Sequence, residues 1–151
     1  MRDNHLLGKM FWSVALPGLG QLLNRKYFKG ILLLSLEFLI NVQANFNMII
    51  LKSFQGKIEE AIHTADYQWL MFYPCMYLYA LWDTYYDAHN GDPPKYSFFP
   101  FVFAAYFITI GVMYSPVFKI SGVLFGPVWL PILFCFIGIA IGQVLQKIFQ
   151  K

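Results

Sequence analysis

The chain has 151 residues, of which 58% are hydrophobic and 20% aromatic, whereas only 13% are charged. A soluble domain typically carries about 25% charged residues, and so many Phe, Tyr and Trp side chains would expose more apolar surface than a small soluble domain can hide. The net charge of +3 comes from cations at the ends of apolar runs, which argues against nucleic-acid binding. The composition therefore indicates a protein whose solvent is the lipid bilayer.

Residues 9–23 form a short apolar segment that is interrupted near its middle. A spanning helix needs about 20 residues, so this segment is too short to cross the membrane. Pro17 and Gly18 break the helix, and Gly20 permits a tight reversal of the chain. Gln21 can hydrogen-bond the backbone groups that the break leaves free. We therefore predict a helical hairpin that is either re-entrant or interfacial.

Four longer apolar segments follow, and each is predicted to be a transmembrane helix. Their ranges are about 30–51, 67–86, 98–118 and 125–146. The polar stretch 52–66 has weak helical amphipathicity, and it is either a helix on the outer surface or a plain loop. Residues 119–124 are a short connector. The predicted fold is thus a single all-α integral membrane domain over residues 1–151, with four spans and an N-terminal hairpin.

The cations of the loops predict the orientation of these spans. If the N-terminus is cytoplasmic and the hairpin returns to its own side, eight cations lie inside and three outside, which matches the positive-inside rule. The inner set is Arg2, Lys9, Arg25, Lys26, Lys29, Lys95, Lys147 and Lys151, and the outer set is Lys52, Lys57 and Lys119. We expect both termini in the cytoplasm of a bacterium, the protein lying in its plasma membrane.

Glu37 is the sharpest functional candidate, because an ionised carboxylate inside a span is costly and usually has a role. Asn41 and Asn45 follow at i+4 and i+8, on the same side of a continuous helix. One interpretation is a proton or ion path, or a polar ligand site. The other is hydrogen bonding between helices, to the turn around Gln21, with Glu37 near the inner interface and paired to Arg25 or Lys29.

Asp83 and Asp87 place two carboxylates on one face at the inner end of the second span, and His89 follows shortly. Such a group can bind a divalent cation or serve as acid and base. The alternative is a solvated helix end, or pairing with the basic cluster Arg25, Lys26 and Lys29, which the topology puts at the same face. The sequence gives no nucleophile motif and no nucleotide loop, so we assign no catalytic, cofactor-binding or metal-binding residue.

Small residues and cysteines mark further packing positions. The spacings Gly138-x-x-x-Gly142 and Gly122-x-x-x-Gly126 allow helices to approach closely, either within the chain or between copies. Cys75 lies in an apolar run and so does the second cysteine, Cys135. Both are expected to be buried thiols that act as small hydrophobes.

The N-terminal part, residues 9–88, resembles small bacterial membrane proteins related to the TM2-domain superfamily. The elements that carry the resemblance are Pro17-Gly18-Leu19-Gly20-Gln21, Lys29-Gly30 and Tyr79-Ala80-Leu81-Trp82-Asp83-Thr84-Tyr85. Thr84 stands where alanine is expected, and the last two spans lie outside the resemblance. The resemblance implies that the turn and Asp83 belong together, through a contact between Asp83 and the basic linker at the cytoplasmic face.

These features support three hypotheses on function. The first is a non-enzymatic membrane protein that acts by contacts, as an accessory, assembly or regulatory subunit or as a homo-oligomer. The second is a small transporter or channel with a polar path at Glu37, Asn41 and Asn45, which predicts a water-filled cavity beside Glu37. The third and weakest is a membrane enzyme that acts on lipid head groups through Asp83, Asp87 and His89.

Overall fold

The computed structural model of the chain describes residues 2–150, and it describes side chains from residue 8 onward. The described part is all-α, with a single two-stranded hairpin. The helices are α1 (Arg2–Ala15), α2 (Leu19–Leu23), α3 (Tyr27–Gln43), α4 (Phe46–Phe54), α5 (Ile58–Thr64), α6 (Tyr67–Leu70), α7 (Tyr73–Ala88), α8 (Phe99–Tyr114) and α9 (Gly126–Phe149). The strands are β1 (Lys119–Ile120) and β2 (Val123–Leu124), paired antiparallel.

The N-terminal segment folds as a helical hairpin, with α1 and α2 joined by a tight turn. Gly18 has a φ of 101° at this turn, a conformation that glycine adopts without steric cost. Lys9 of α1 and Arg25 after α2 line one pocket together with Asp87 from the end of α7. Both arms of the hairpin therefore meet at the same end of the helix bundle.

The predicted helix over 30–51 is not continuous, and this expectation is wrong. It divides into α3 and α4, whose axes are bent by 62°. Asn45 lies at the break with a φ of 57°, and its side-chain Nδ2 donates a hydrogen bond to the backbone oxygen of Thr64, 3.2 Å away. Asparagine tolerates the left-handed conformation better than most residues, and contact with the end of α5 holds the bend.

The second predicted segment, 67–86, is also interrupted. Its first turn is the separate helix α6, capped by Asp66, whose carboxylate accepts hydrogen bonds from the backbone N–H groups of Gln68 and Trp69. The helix α7 then starts afresh with Pro74 in its first turn, where a missing N–H costs nothing. The main helix of this segment therefore covers residues 73–88.

The two predicted connectors both contain regular structure. Of the two alternatives for residues 52–66, the plain loop is wrong, because α5 forms there and buries Ala61 completely. Residues 119–124 form the β-hairpin, with Gly122 in its turn at a φ of 81°. The spacing from Gly122 to Gly126 is consequently not a helix face.

The helices α8 and α9 form a tight antiparallel pair around glycines. A Cβ atom added at Gly138 would lie 2.5 Å from the backbone oxygen of Phe103, and one added at Gly142 would lie 2.5 Å from the Cα atom of Pro100. At Gly111 the nearest atom would be the Cα atom of Pro131, at 2.7 Å. The glycines at 138 and 142 therefore serve packing within the chain.

One described helix, α9, is long and apolar enough to cross a membrane, and the bent pair α3 and α4 meets the same criterion when taken together. With 24 residues α9 is about 36 Å long, whereas α8 is apolar but has 16 residues and is about 24 Å long. Of the cysteines, Cys135 is half-buried, but Cys75 is exposed, so the expectation that both are buried is wrong for Cys75.

Candidate functional site

Two lysine–aspartate pairs join the start of α3 to the end of α7, which runs antiparallel to it. Lys29 Nζ lies 2.7 Å from Asp83 Oδ1, and Lys26 pairs with Asp87. Asp83 is buried at 7% exposure, whereas the Lys29 side chain is 44% exposed. The contact expected between Asp83 and the basic linker is therefore present. We call Gln21, Lys26, Lys29, Asp83 and Asp87 the polar latch.

Each charge of the polar latch stands at an unfavourable end of its own helix. Lysines at a helix N-terminus and aspartates at a C-terminus both oppose the helix dipole. Because α3 and α7 are antiparallel, each charge faces its counter-charge and the complementary end of the partner helix. The two ion pairs therefore offset the unfavourable position that each charge has on its own helix.

Gln21 connects the hairpin turn to this latch. Its side-chain Nε2 donates to the backbone oxygen of Ala80 at 2.8 Å and to Asp83 Oδ2 at 3.2 Å. Gln21 is completely buried, so these two hydrogen bonds satisfy a donor group that would otherwise be costly to bury. We expected Gln21 to bond the backbone groups that the turn leaves free. It bonds α7 instead.

The glycines of the turn are positions of close approach. A Cβ atom at Gly20 would overlap the hydroxyl groups of Ser13 and Thr84, which are themselves hydrogen-bonded at 2.7 Å. A Cβ atom at Gly18 would lie 2.7 Å from the backbone oxygen of Gly30. The turn therefore packs on α3 through Gly18 and on α7 through Gly20, and Pro17 beside it is fully buried.

Ser13 and Thr84 are site residues that the sequence analysis does not identify. No pattern around Ser13 distinguishes it from other serines. Thr84 carried one signal, since it stands where the resemblance suggests alanine. The structure gives the physical reason for a hydroxyl there, because Thr84 Oγ1 pairs with Ser13 Oγ in a fully buried contact between α1 and α7.

Glu37 is buried in the middle of α3, where a hydrogen bond between helices holds it, as one alternative predicted, but the partner is neither of those expected. The Tyr73 hydroxyl donates to Glu37 Oε1 at 3.2 Å, and the other carboxylate oxygen, Oε2, is buried with no partner among the described residues. The expected pairing with Arg25 or Lys29 is wrong. Lys29 lies near the start of α3, eight residues before Glu37, and it pairs with Asp83 there. The expected bond to the turn around Gln21 is absent as well.

The polar stripe predicted from Glu37 reaches Asn41 on α3 but does not reach Asn45. Asn45 lies beyond the end of α3 and bonds Thr64, while Asn41 Nδ2 donates to Asn47 Oδ1 at 3.3 Å. The common helix face predicted for the three residues is therefore wrong, since it required an unbroken helix. Hydropathy did not reveal the bend, because the segment is apolar on both sides of it.

Tyr73, the hydrogen-bond partner of Glu37, lines a cavity that is apolar and does not include Glu37 in its wall. It has a volume of about 440 Å³, lies between α4, α7, α8 and α9, and includes the rings of Tyr73 and Tyr77 in its wall. Other lining side chains are Phe46, Ile50, Val128 and Phe136. The Tyr77 hydroxyl donates a hydrogen bond to the backbone oxygen of Val14 at 2.6 Å. The ring of Tyr77 is therefore the part that faces the apolar side chains of the cavity. A connected polar route from Glu37 is not formed by these residues.

The carboxylates near the end of α7 are arranged as ion pairs rather than as ligands. Asp83 and Asp87 each have a lysine partner, and His89 Nδ1 lies 2.9 Å from the backbone oxygen of Tyr85. Across the residues that the structure describes, no three His, Cys, Asp or Glu side chains come together as metal ligands would. These ion pairs form a structural contact between α3 and α7.

Arg25 is the member of the predicted charge cluster that stands apart from the ion pairs. It follows α2 with a φ of 62°, and its N–H bonds Leu22 while the N–H of Lys26 bonds Gln21. These two bonds form a Schellman motif, in which glycine is the usual residue at the position that Arg25 occupies.

Comparisons with known proteins return no match: no protein-family model fits the chain, and neither a curated protein nor a solved structure is significantly similar to it. The resemblance of residues 9–88 therefore stays a prediction, and the geometry alone supports the functional argument.

We expect the Lys29–Asp83 pair to show a coupling energy of about 1 kcal/mol in a double-mutant cycle of Lys29→Met and Asp83→Asn. The value is small because Lys29 is partly exposed and solvent screens the pair. Asn at position 83 keeps an oxygen for Gln21, so the cycle isolates the charge. The readout is the free energy of unfolding in detergent. The matched pair Lys57→Met and Asp83→Asn should couple by less than about 0.5 kcal/mol, and equal coupling in both cycles would contradict the assignment.

Proposed function

We propose that this chain is a non-enzymatic, multi-pass protein of a bacterial plasma membrane that acts by contacts within the bilayer. In this role it is an accessory, assembly or regulatory subunit of a larger complex, or it forms a homo-oligomer. Four spans, based on α3 with α4, α6 with α7, α8 and α9, cross the membrane, and the α1–α2 hairpin enters and leaves on the cytoplasmic side.

The observation that carries the proposal is the large exposed apolar surface of the helices. Phe28 and Phe38 of α3 are 82% and 72% exposed, and Phe136 of α9 is 67% exposed. Surfaces of this kind mark contact with a membrane or with another protein. Within the latch, Gln21 and Lys29 both bond Asp83, while Gln21 Oε1 and Asp87 Oδ2 have no partner among the described residues. The outward faces of the helices offer apolar packing rather than chemistry.

The placement of charges at the two ends of the bundle supports the proposed topology. The polar latch lies at one end, where Gln150 of the segment after α9 also reaches the backbone oxygen of Lys95. Lys52 and Glu60 approach each other at the opposite end, where α4 meets α5. Two cations of the proposed inner set fall outside this argument, since the side chain of Arg2 and all of Lys151 lie beyond what the structure describes.

The lengths of the shorter helices fit a membrane if their flanks contribute. At about 24 Å, α7 and α8 are shorter than the hydrocarbon core of about 30 Å. The short helix α6 precedes α7 by two residues and adds to this segment, and aromatic side chains such as Trp69 and Tyr114 lie at the proposed outer boundary. Short spans are accommodated by local thinning of the bilayer at modest cost.

A contact role is favoured over transport because the side chains proposed for a path do not connect. Asn41 and Asn45 bond elsewhere, and the cavity beside Tyr73 is apolar. It is favoured over lipid-head-group chemistry because Asp83 and Asp87 are held by lysines. The TM2-related resemblance is part of the proposal and agrees with a role at the membrane.

The proposal is tested by photo-cross-linking in native membranes. A photoreactive amino acid replaces exposed Phe38 or Phe136, and the matched control carries it at Leu130, which is completely buried. After purification in mild detergent, mass spectrometry should identify one stoichiometric adduct, with a membrane protein or with a second copy, from the exposed positions only. Adducts with lipid alone at both exposed positions would contradict the contact role.

A further inference from the structure

A basic pocket lies beside the polar latch, on the side of Lys26 and Asp87. It has a volume of about 480 Å³ and is formed where α1, the end of α2 and the end of α7 meet. Its polar lining includes Lys9, Asn24, Arg25, Lys26 and Asp87. Among the described side chains, three cations against one carboxylate give the lining an excess of two positive charges, which favours an anion.

The cations at this pocket are only partly neutralised. Lys26 pairs with Asp87, whereas neither Lys9 nor Arg25 has a carboxylate within 4.0 Å among the described side chains. Clustered cations repel one another, and a bound anion relieves that repulsion. The pocket therefore attracts an anion that is not part of the chain.

Two buried polar atoms of the lining lack hydrogen-bond partners among the described residues. Asn24 Nδ2 is a donor without an acceptor, and Asp87 Oδ2 is an acceptor without a donor. Buried polar groups are nearly always satisfied, so each orphan atom calls for an explanation. A ligand that carries both an anionic acceptor and a hydroxyl donor would satisfy the pair.

Arg25 gives an independent reason to assign a binding role. It occupies the left-handed position that ends α2, where its backbone costs about 1 kcal/mol more than glycine would. A long cationic side chain therefore occupies a position where glycine would be favoured if only backbone conformation mattered. Leu23 and Tyr86, both exposed, also line the pocket and offer apolar contact beside the charges.

We propose that this pocket binds the head group of an anionic glycerophospholipid with a hydroxylated substituent, of the phosphatidylglycerol type. The phosphate lies among Lys9, Arg25 and Asn24, and a head-group hydroxyl donates to Asp87 Oδ2. Basic pockets on the cytoplasmic side of membrane helices are suited to such head groups. The inference rests on the membrane placement in the proposed function.

The test is lipid binding by the full chain in nanodiscs and by native mass spectrometry. Phosphatidylglycerol should be retained over phosphatidylcholine in the wild type. Arg25→Gly removes both the cation and the backbone cost, so this variant should be at least as stable while its affinity falls about fivefold; Lys9→Gln should have a similar effect on affinity. Lys57→Gln, at the opposite end of the bundle, is the matched control and should bind as the wild type does.

Each remaining outcome overturns the inference in a distinct way. Equal retention of both lipids, or unchanged binding in Arg25→Gly and Lys9→Gln, removes the site. Displacement of the lipid by millimolar glycerol phosphate or inorganic phosphate assigns the pocket to a soluble phosphate instead. A chain that does not enter nanodiscs at all contradicts the proposed function itself, whereas a chain that enters them without lipid preference contradicts only the lipid site.

Discussion

Adding one methyl group at Gly138 is expected to lower the free energy of unfolding by about 1–3 kcal/mol, and adding one at Gly142 should do the same. The new Cβ atom at Gly138 would meet the backbone of Phe103, and the one at Gly142 would meet the backbone of Phe99 and Pro100. Backbone atoms cannot rotate away as a side chain can, so α8 and α9 must separate. The measurement is thermal or denaturant unfolding of Gly138→Ala and Gly142→Ala in detergent.

The matched control for this prediction is Ala140→Leu, two residues along the same helix. Ala140 is exposed, so the three added carbon atoms have room and the variant should unfold as the wild type does. The comparison separates the close approach of the helices from a general sensitivity of α9. Loss of stability in Ala140→Leu equal to that in Gly138→Ala would contradict the packing argument.

The second large effect is expected for Gly18→Ala, which should destabilise the chain by about 2–4 kcal/mol. An alanine at a φ of 101° is strained, and its Cβ atom would lie 2.7 Å from the backbone oxygen of Gly30 and 2.9 Å from the Leu34 side chain. The turn must then move off α3. Thermal unfolding of the purified variant gives the effect.

Gly56→Ala is the control that separates the backbone strain at a positive φ from the overlap of the new Cβ atom with its neighbours. Gly56 also has a positive φ, 76°, but a Cβ atom there would meet nothing within 4 Å. This variant should lose only the conformational part, about 1 kcal/mol. If both variants lost the same amount, the close packing of the turn against Gly30 would not be a source of stability.

The sequence predicted the elements that depend on local chemistry. Pro17 and Gly18 predicted a break between two short helices, and the structure has one there. For Asp83 and Asp87 the sequence left two alternatives, a solvated helix end or pairing with the basic cluster, and the structure has the pairing with Lys26 and Lys29. The break follows from local preferences, whereas the ion pairs followed from the predicted topology, which put both groups at the same face.

The parts that failed depend on distant contacts. The bend at Asn45 arises because Thr64 and Asp66 hydrogen-bond the chain at the break. No local sequence pattern predicts these partners. One alternative for Glu37 paired it with Arg25 or Lys29, but the geometry of α3 places it opposite Tyr73. Apolar periodicity also cannot separate α6 from α7, because the interruption at residues 71–72 is as hydrophobic as the helices around it.

The pocket beside the latch shows a third kind of limit. Lys9 and Arg25 are 16 positions apart in a chain with eleven cations, and charge counting placed them on one side without suggesting a site. Only the hairpin geometry brings them together with Asn24 and Asp87. The left-handed backbone of Arg25 is likewise a property of the fold that its residue type does not predict.

The most direct test of the account is labelling of single cysteines from each side of sealed vesicles, in a background with Cys75→Ser and Cys135→Ala. The account predicts that Gly8→Cys, Arg25→Cys and Lys95→Cys react only with reagent on the cytoplasmic side. Lys57→Cys and Ser121→Cys should react only from the outer side. Labelling of positions 8 and 25 from opposite sides would make the first segment a full span, and would contradict the hairpin and the topology built on it.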